Sequence, residues 1–291
     1  MILIIHNPLS NNRKSKKSTL KVVKFCQKNQ LPYLIRSTLK IDNLNQFLDN
    51  NPQITDIIYL GGDGSFNYLV NHVDLALIKQ NIYLAQSGSG NDFFRTLKRI
   101  KQGSIAIGLA NNNTQPVRFI NGCGLGVDAA VCHYVNADSK KNKLSYFVNT
   151  FKAISQFKPT TMDVTVDGVA HHFPKTFFVA IQNGRYFGGG MKVAPKANPE
   201  SDDYQVIVAH SISKALISLL FVTIYPGLHT HLKKFVTMLQ GKSIKISSDE
   251  PNYFQTDGEV IDNVSYVEVS KVLNREFIAY NPKTMKLNQN G

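Results

Sequence analysis

The stretch Asp56-Ile57-Ile58-Tyr59-Leu60-Gly61-Gly62-Asp63-Gly64-Ser65 runs from an apolar segment straight into a glycine-rich break, and Phe66 to His72 then read as the start of a helix. The pattern repeats further on. Ile82 to Gln86 lead into Ser87-Gly88-Ser89-Gly90-Asn91-Asp92, and Phe93 to Ile100 follow as a helix that Asn91 or Asp92 is placed to cap. Ile2 to Asn7 and Tyr33 to Arg36 supply two further short apolar runs. Such runs, spaced by helix-length segments, predict parallel βαβ units covered on both faces. Ligands of these sheets lie beyond the carboxyl ends of the strands, which directs attention to the loops after Ile5, Leu60 and Ala85.

Glycines in those loops are expected to supply positive φ and to let backbone N–H groups approach phosphate oxygens with no Cβ in the way. Ser65 adds a hydroxyl donor, and the N-terminal end of the helix after it suits an anion. Asn7-Pro8-Leu9-Ser10 forms a third loop at the end of the first strand. Three loops at one sheet edge predict a polyphosphate cradle, and the lack of a G-x-x-x-x-G-K-[ST] run means that it is not a P-loop.

After Asn111-Asn112-Asn113-Thr114-Gln115-Pro116 the texture changes to alternating strands. Met162 to Phe173 alternate around Asp167-Gly168, a two-residue hairpin signal. Further strands are expected at Phe177 to Gln182, Gln205 to Ala209, Ser243 to Ser247, Tyr266 to Val269 and Phe277 to Tyr280, with one helix, Lys214 to Tyr225, among them. The expected fold class is α/β plus all-β. Residues 1–115 form a doubly wound α/β nucleotide-binding domain and residues 116–275 an antiparallel β-rich domain.

Composition narrows the function classes. A chain of 291 residues with 43% hydrophobic and 18% charged residues is globular. Cys26, Cys123 and Cys132 are odd in number and lack ligand spacing, which excludes a disulfide framework and points to a reducing, cytoplasmic home. The apolar run Ala215 to Pro226 falls short of the ~20 residues that span a bilayer, so a soluble protein is expected. The net charge of +13 rests on clusters at Arg13 to Lys17, Lys140 to Lys143, and Lys233-Lys234. None interleaves with aromatic residues as a nucleic-acid platform does, so an anionic membrane surface is the expected partner and nucleic acid is not.

Taken in order, Asn7-Pro8, Gly61-Gly-Asp-Gly-Ser65 with Asn67, and Gly88-Ser-Gly-Asn-Asp92 resemble the diacylglycerol kinase and sphingosine kinase superfamily. The similarity continues through Phe119-Ile-Asn-Gly-Cys-Gly-Leu-Gly126, Leu144-Ser-Tyr146, Asn183 to Gly190 with Pro195 and Ala197, and Asp257-Gly258-Glu259. The glycine run at 188–190 and the late Asp-Gly-Glu favour the lipid-kinase branch over NAD kinases and phosphofructokinases, whose loops are similar. The resemblance implies a β-sandwich-like second domain, a return of residues 276–291 to the first, and an active site in the cleft between the two. It also implies ATP and Mg²⁺, and a lipid hydroxyl as acceptor at an anionic membrane surface to which the protein binds peripherally. A homodimer is left open.

Residue by residue, the resemblance assigns nucleotide binding to Asn7, Pro8, Ser10, Thr38, Gly61, Gly62, Asp63, Gly64, Ser65, Asn67, Gly88, Ser89, Gly90, Asn91 and Asp92. Phosphoryl transfer needs a group that takes the acceptor's proton. Asp257 or Glu259 is expected in that role, with Asp63 acting through the metal or as base. If the Asp257–Glu259 stretch is extended, both carboxylates lie on one face. A structural metal is expected at Asp202 and Asp203, in a loop that reads Glu200-Ser-Asp-Asp-Tyr204. Tyr68 and Ala106 stand where relatives carry acids. A soluble-substrate kinase of the NAD kinase type and a degenerate, non-catalytic binder therefore remain as alternatives. His171-His172 and His229/His231 read as packing or surface residues, and Cys123 as core.

Overall fold

A computed structural model describes residues 1–8, 15–87, 90–100, 102–138, 143–283 and 285. The chain divides into two compact units, Met1–Ile105 with Arg275–Gly291, and Ala106–Asn274.

In the first unit, β1 (Ile2–His6), β2 (Tyr33–Ser37), β3 (Asp56–Gly61) and β4 (Asn81–Gln86) pair in parallel in the order β4-β3-β1-β2. β1, β3 and β4 are nearly continuous buried runs, because helices cover both faces of the sheet. Ile2, Ile4, Ile58 and Leu60 pack with Val22, Val23 and Cys26 of α1 (Ser15–Lys28). On the opposite face Tyr59 meets Phe66 of α3 (Asp63–His72), with ring centroids 6.3 Å apart. α2 (Leu44–Asp49) and α4 (Asp92–Ile100) complete the unit. The chain returns at its end, where Ile278 and Ala279 lie parallel to Tyr83 and Leu84 of β4.

The second unit is antiparallel. β7 (Gly122–Gly126), β8 (Thr160–Val166), β9 (Val169–Gln182) and β12 (Ile244–Thr256) close on themselves. β9 and β12 each pair with β8 over one part of their length and with β7 over the other. This ring encloses Cys123, Leu125, Met162, Val164, Ile181 and Phe254. β10 (Tyr204–His210) and β11 (Val236–Gly241) extend β9, while β13 (Glu259–Ala279) pairs with β12. β5 (Gln102–Asn112) and β6 (Val117–Phe119) form a short antiparallel pair at the start of the unit. Ile207 and Ala209 of β10 face a second core, built from α5 (Val127–Ala137), α6 (Lys143–Gln156) and α7 (Lys214–Ile224).

Two of those helices, α5 and α6, are absent from the sequence-based expectation, which has one helix in this half. α5 starts at Gly126 with no side-chain cap, so the usual Ser/Asp signal is missing. The strand expected at Ser243 to Ser247 runs on to Thr256, and Pro251 is tolerated because the register shifts between Ser247 and Phe254. Tyr266–Val269 and Phe277–Tyr280 belong to one long strand as far as Ala279. Asp167 (φ 48°) and Gly168 (φ 85°) form the expected hairpin turn. Among the described residues no helix is long and apolar enough to cross a membrane.

Candidate functional site

Parallel pairing brings four strand ends together in the first unit, since His6 lies opposite both Leu60 and Ser37, and Gly61 opposite Gln86. Asn7, Thr38, Gly62 and Ser87 therefore leave the sheet at one edge. Hydrogen bonds then join the loops. Ser87 N–H donates to Gly61 O at 2.8 Å and Asp63 N–H to Gly90 O at 3.2 Å. Asn7 Nδ2 donates to Ser65 Oγ at 3.4 Å. Asp63 Oδ2 accepts from Asp92 N at 2.9 Å and Oδ1 from Phe93 N at 3.1 Å. The carboxylate of the first loop thus caps the helix that follows the second, satisfying two otherwise unpaired N–H groups.

The described glycines of these loops do not supply the positive φ expected of them. Gly61, Gly62, Gly64 and Gly90 have no positive φ; Gly62 sits at −114°. Close approach is what requires glycine, since a Cβ on Gly61 would come within 2.3 Å of Ser65 Cβ. Asn67, Asn91 and Asp92 are buried beneath the loops, with Arg95 paired to Asp92 at 3.3 Å. Thr38 opens a 3-10 turn after β2, where Ser37 Oγ accepts from Leu39 N at 3.2 Å. The His6 Nδ1 atom is buried at the end of β1 with no hydrogen-bond partner among the described residues, and burial holds its pKa below the ordinary value. Pro8 ends the described part of its loop; Ser10, Gly88 and Ser89 lie outside the described residues.

In the second unit, Asp257 and Glu259 do not share an extended face. Asp257 (φ 50°) and Gly258 (φ 94°) are the two turn residues between β12 and β13. The Asp257 carboxylate folds back onto the backbone ahead of β7. Its Oδ1 accepts from Asn121 N at 2.9 Å and Gly122 N at 3.0 Å, and its Oδ2 from Ile120 N at 2.9 Å. Three donors make Asp257 an anchor of that segment, whereas Glu259, next along, is exposed.

A third carboxyl at this turn escaped the sequence reading. Asp128, in the first turn of α5, lies over Gly124, where an added Cβ would come within 2.0 Å of its Oδ2. Gln255 links it to the turn, donating to Asp128 Oδ2 at 3.3 Å and accepting from Gly258 N at 2.9 Å. Burial raises the Asp128 pKa to about 6, against the bonds from Gln255 and the helix N–H groups. The same burial pushes the Cys132 thiol up to about 12, with Asp128 and Glu259 adding to it. The signal was present in Gly122-x-Gly124-x-Gly126-x-Asp128, alternating glycines that leave room for a side chain on the strand. A cavity of ≈ 400 Å³ lies beside α5 and α6, lined by Ala130, Tyr134, Ala153, Phe157 and Tyr253 among others.

The metal expected at Asp202 and Asp203 does not fit the loop. Asp202 pairs with Lys242 at 3.3 Å, and Asp203 Oδ2 accepts from Gln240 at 2.9 Å. The Lys271 ammonium donates to the main-chain carbonyls of Ser201 and Asp203 and lies 4.9 Å from the Tyr204 ring centre. A cation of the chain's own already sits where the loop presents its oxygens. Of the two departures, Tyr68 is exposed and stacks on His72 at 4.0 Å, while Ala106 is buried, with its N–H bonded to Pro199 O and its carbonyl to Asn183. Among the described residues no group of three His, Cys, Asp or Glu side chains converges as a metal cage would.

The fold is thus a parallel α/β unit with hydrogen-bonded loops at its strand ends, followed by an antiparallel unit. Residues 1–121 match the diacylglycerol kinase catalytic domain, and residues 122–279 match the YegS C-terminal NAD kinase beta sandwich-like domain. The chain belongs to the diacylglycerol kinase-like family of lipid kinases. It is 26% identical over 240 residues to the Bacillus subtilis (strain 168) protein named "Putative lipid kinase YtlR", covering 72% of this chain and 75% of that one. A Staphylococcus aureus (strain Newman) protein named "Putative lipid kinase" is 25% identical over 223 residues, covering 72% and 73%. A solved structure described as a diacylglycerol kinase from Bacillus anthracis str. Sterne shares the fold, with a TM-score of 0.66 at 20% identity and 98% of each chain covered.

Proposed function

We propose that this kinase transfers the γ-phosphoryl group of ATP to a hydroxyl of a membrane lipid of the diacylglycerol, phosphatidylglycerol or sphingoid-base type, working peripherally at the cytoplasmic membrane surface. The observation that carries the reading is the Asp63 carboxylate, which ties the Gly61–Ser65 loop to the start of α4 at the carboxyl ends of adjacent parallel strands. Backbone N–H groups and the N-terminus of α3 favour polyphosphate there. The donor set suits a Mg²⁺ ion that arrives with the nucleotide, since such an ion needs only one or two carboxylates beside phosphate and water. Asp63 would hold it, and its chemistry is to neutralise phosphate charge.

Glu259 takes the acceptor's proton as the lipid oxygen bonds to phosphorus and ADP leaves; Asp257 and Gln255 position the turn that carries it. Incubation with labelled ATP and a panel of lipids, with NAD as a control acceptor, tests the assignment. Label in a lipid supports it, and label in NAD alone overturns it. Ala106 and Tyr68 favour a second reading, nucleotide binding without transfer, for which the same assay yields no labelled product although calorimetry detects ATP.

A further inference from the structure

The second unit carries an apolar face that its own core leaves uncovered. α6 and α7 bury Ala153, Ile154, Ile217, Leu220, Phe221 and Ile224 together, and Lys214 Nζ donates to Ser155 O at 2.6 Å across them. Their outward sides mix exposed polar residues, Lys152 and Ser155 on α6 and Lys214 on α7, with exposed apolar ones. Val148 and Phe151 on α6, and Val222 on α7 with Tyr225 at its C-cap, are exposed, and each pair is spaced three residues apart along one helix side. Leu228 (55% exposed) and Leu232 (38%) continue the patch around the 3-10 turn Leu228–His231. Single exposed apolar residues are ordinary, but a run of six along two packed helices and the turn that follows marks an interaction surface.

The charge of the same segments identifies the partner. Between Asp138 and Asp163, and again between Asp203 and Asp249, the sequence holds no Asp or Glu at all. Those two stretches carry ten of the 33 basic residues and none of the 20 acids, and hence most of the net charge of +13. Lys242 pairs with Asp202 and Lys245 with Glu268. Lys152, Lys214, Lys233 and Lys234, which flank the apolar patch, pair with no carboxylate among the described residues. Lysine stems can lie along apolar surface with the ammonium held at its rim, and a tyrosine such as Tyr225 suits the level of lipid headgroups.

We infer that the outer sides of α6 and α7, with the turn Leu228–His231 and Lys233-Lys234, dock this protein on an anionic bilayer, apolar side chains entering the headgroup region and lysines meeting lipid phosphates. A second copy of the chain does not suit the face, because two such surfaces would bring unpaired lysines together. The identity of the partner rests on the lipid-kinase reading; the exposed cationic apolar face does not.

The test is co-sedimentation with vesicles of phosphatidylcholine alone and vesicles that also carry phosphatidylglycerol, at low and high salt. The wild type, Lys233→Ala/Lys234→Ala and Leu228→Ser/Leu232→Ser are compared. The substituted side chains are exposed, so the variants are expected to melt with the wild type. Wild type should partition to the anionic vesicles and be released by salt; loss of two lysines should weaken partition about 30-fold, and loss of the two leucines should weaken it at both salt concentrations. Equal binding to neutral vesicles, or variants that bind like wild type, would overturn the docking face, as would a salt-sensitive dimer that both variants abolish. A parallel assay uses a short-chain acceptor dissolved below its aggregation limit. Docking variants should phosphorylate it normally while failing on the same headgroup in vesicles. Vesicle binding lost in the variants, with no transfer to either acceptor by wild type, leaves the face standing and removes the kinase reading.

Discussion

Asp63 accepts the backbone N–H of Asp92 at 2.9 Å, so the residue that opens one helix also closes the start of the next. Because Asp63 is itself the first residue of α3, its side chain fixes the relative position of two helix N-termini and of the glycine loops that precede them. A motif read as a metal or base carboxylate has a structural duty before any chemical one.

Asp63→Asn tests that duty. An amide can accept one of the two N–H groups, but its own NH₂ then faces the other. Leaving a buried donor unpaired costs about 1–3 kcal/mol. The melting temperature should fall and ATP affinity should drop at least about tenfold in calorimetry. Nucleotide affinity equal to wild type would show that the loops hold their shape without this side chain.

Asp257 and Glu259 should separate cleanly. Asp257→Ala strips the acceptor from three backbone N–H groups, so it should lower stability by about 2–4 kcal/mol and turnover along with it. Glu259→Ala, at an exposed position, should leave stability within about 0.5 kcal/mol while kcat falls by roughly 100-fold. Denaturant melts beside initial rates decide. A Glu259→Ala variant with normal turnover removes it as the proton acceptor.

The buried Asp128 makes stability depend on pH in a definite direction. Its pKa is raised from 3.8 to about 6, so between those values the folded protein keeps a proton that the unfolded chain has released. The stability it contributes is full below about pH 4 and is lost as pH rises through 6, amounting to about 3 kcal/mol. Asp128→Asn should abolish that slope and melt higher than wild type above pH 6. Parallel pH–stability curves for the two proteins would contradict the burial cost.

Lys271 makes the fourth case. With its ammonium set against the Ser201 and Asp203 carbonyls, EDTA should leave the melting temperature of the wild type unchanged. Lys271→Met keeps the aliphatic packing on Tyr204 but leaves those carbonyls unpaired, and should cost about 1–3 kcal/mol. A large drop in melting temperature with EDTA would instead place a divalent ion in the loop.

Much of the first unit was legible in the amino-acid order alone. Ile2–His6, Asp56–Gly61 and Asn81–Gln86 each hold an unbroken apolar run, Ile2 to Ile5, Ile57 to Leu60 and Ile82 to Ala85, because both faces of a parallel sheet are covered, and local composition records that burial. Gly61 to Ser65 announced a tight loop at a strand end for an equally local reason. What tertiary structure decided was where carboxylates point. Asp257-Gly258 has the composition of a hairpin turn, but that its side chain reaches back to Ile120, Asn121 and Gly122 depends on β12 lying beside β7. Asp128 is ionisable like any other aspartate in the sequence; only its burial over Gly124 shifts its titration. Lys271 is some seventy residues from Ser201 and Asp203, and no spacing rule links a strand lysine to a loop that β-pairing brings alongside it. Hydrophobic period and turn chemistry are properties of neighbouring residues and are written in the chain. Hydrogen bonds between distant segments, and the desolvation that sets a pKa, exist only once the chain has folded.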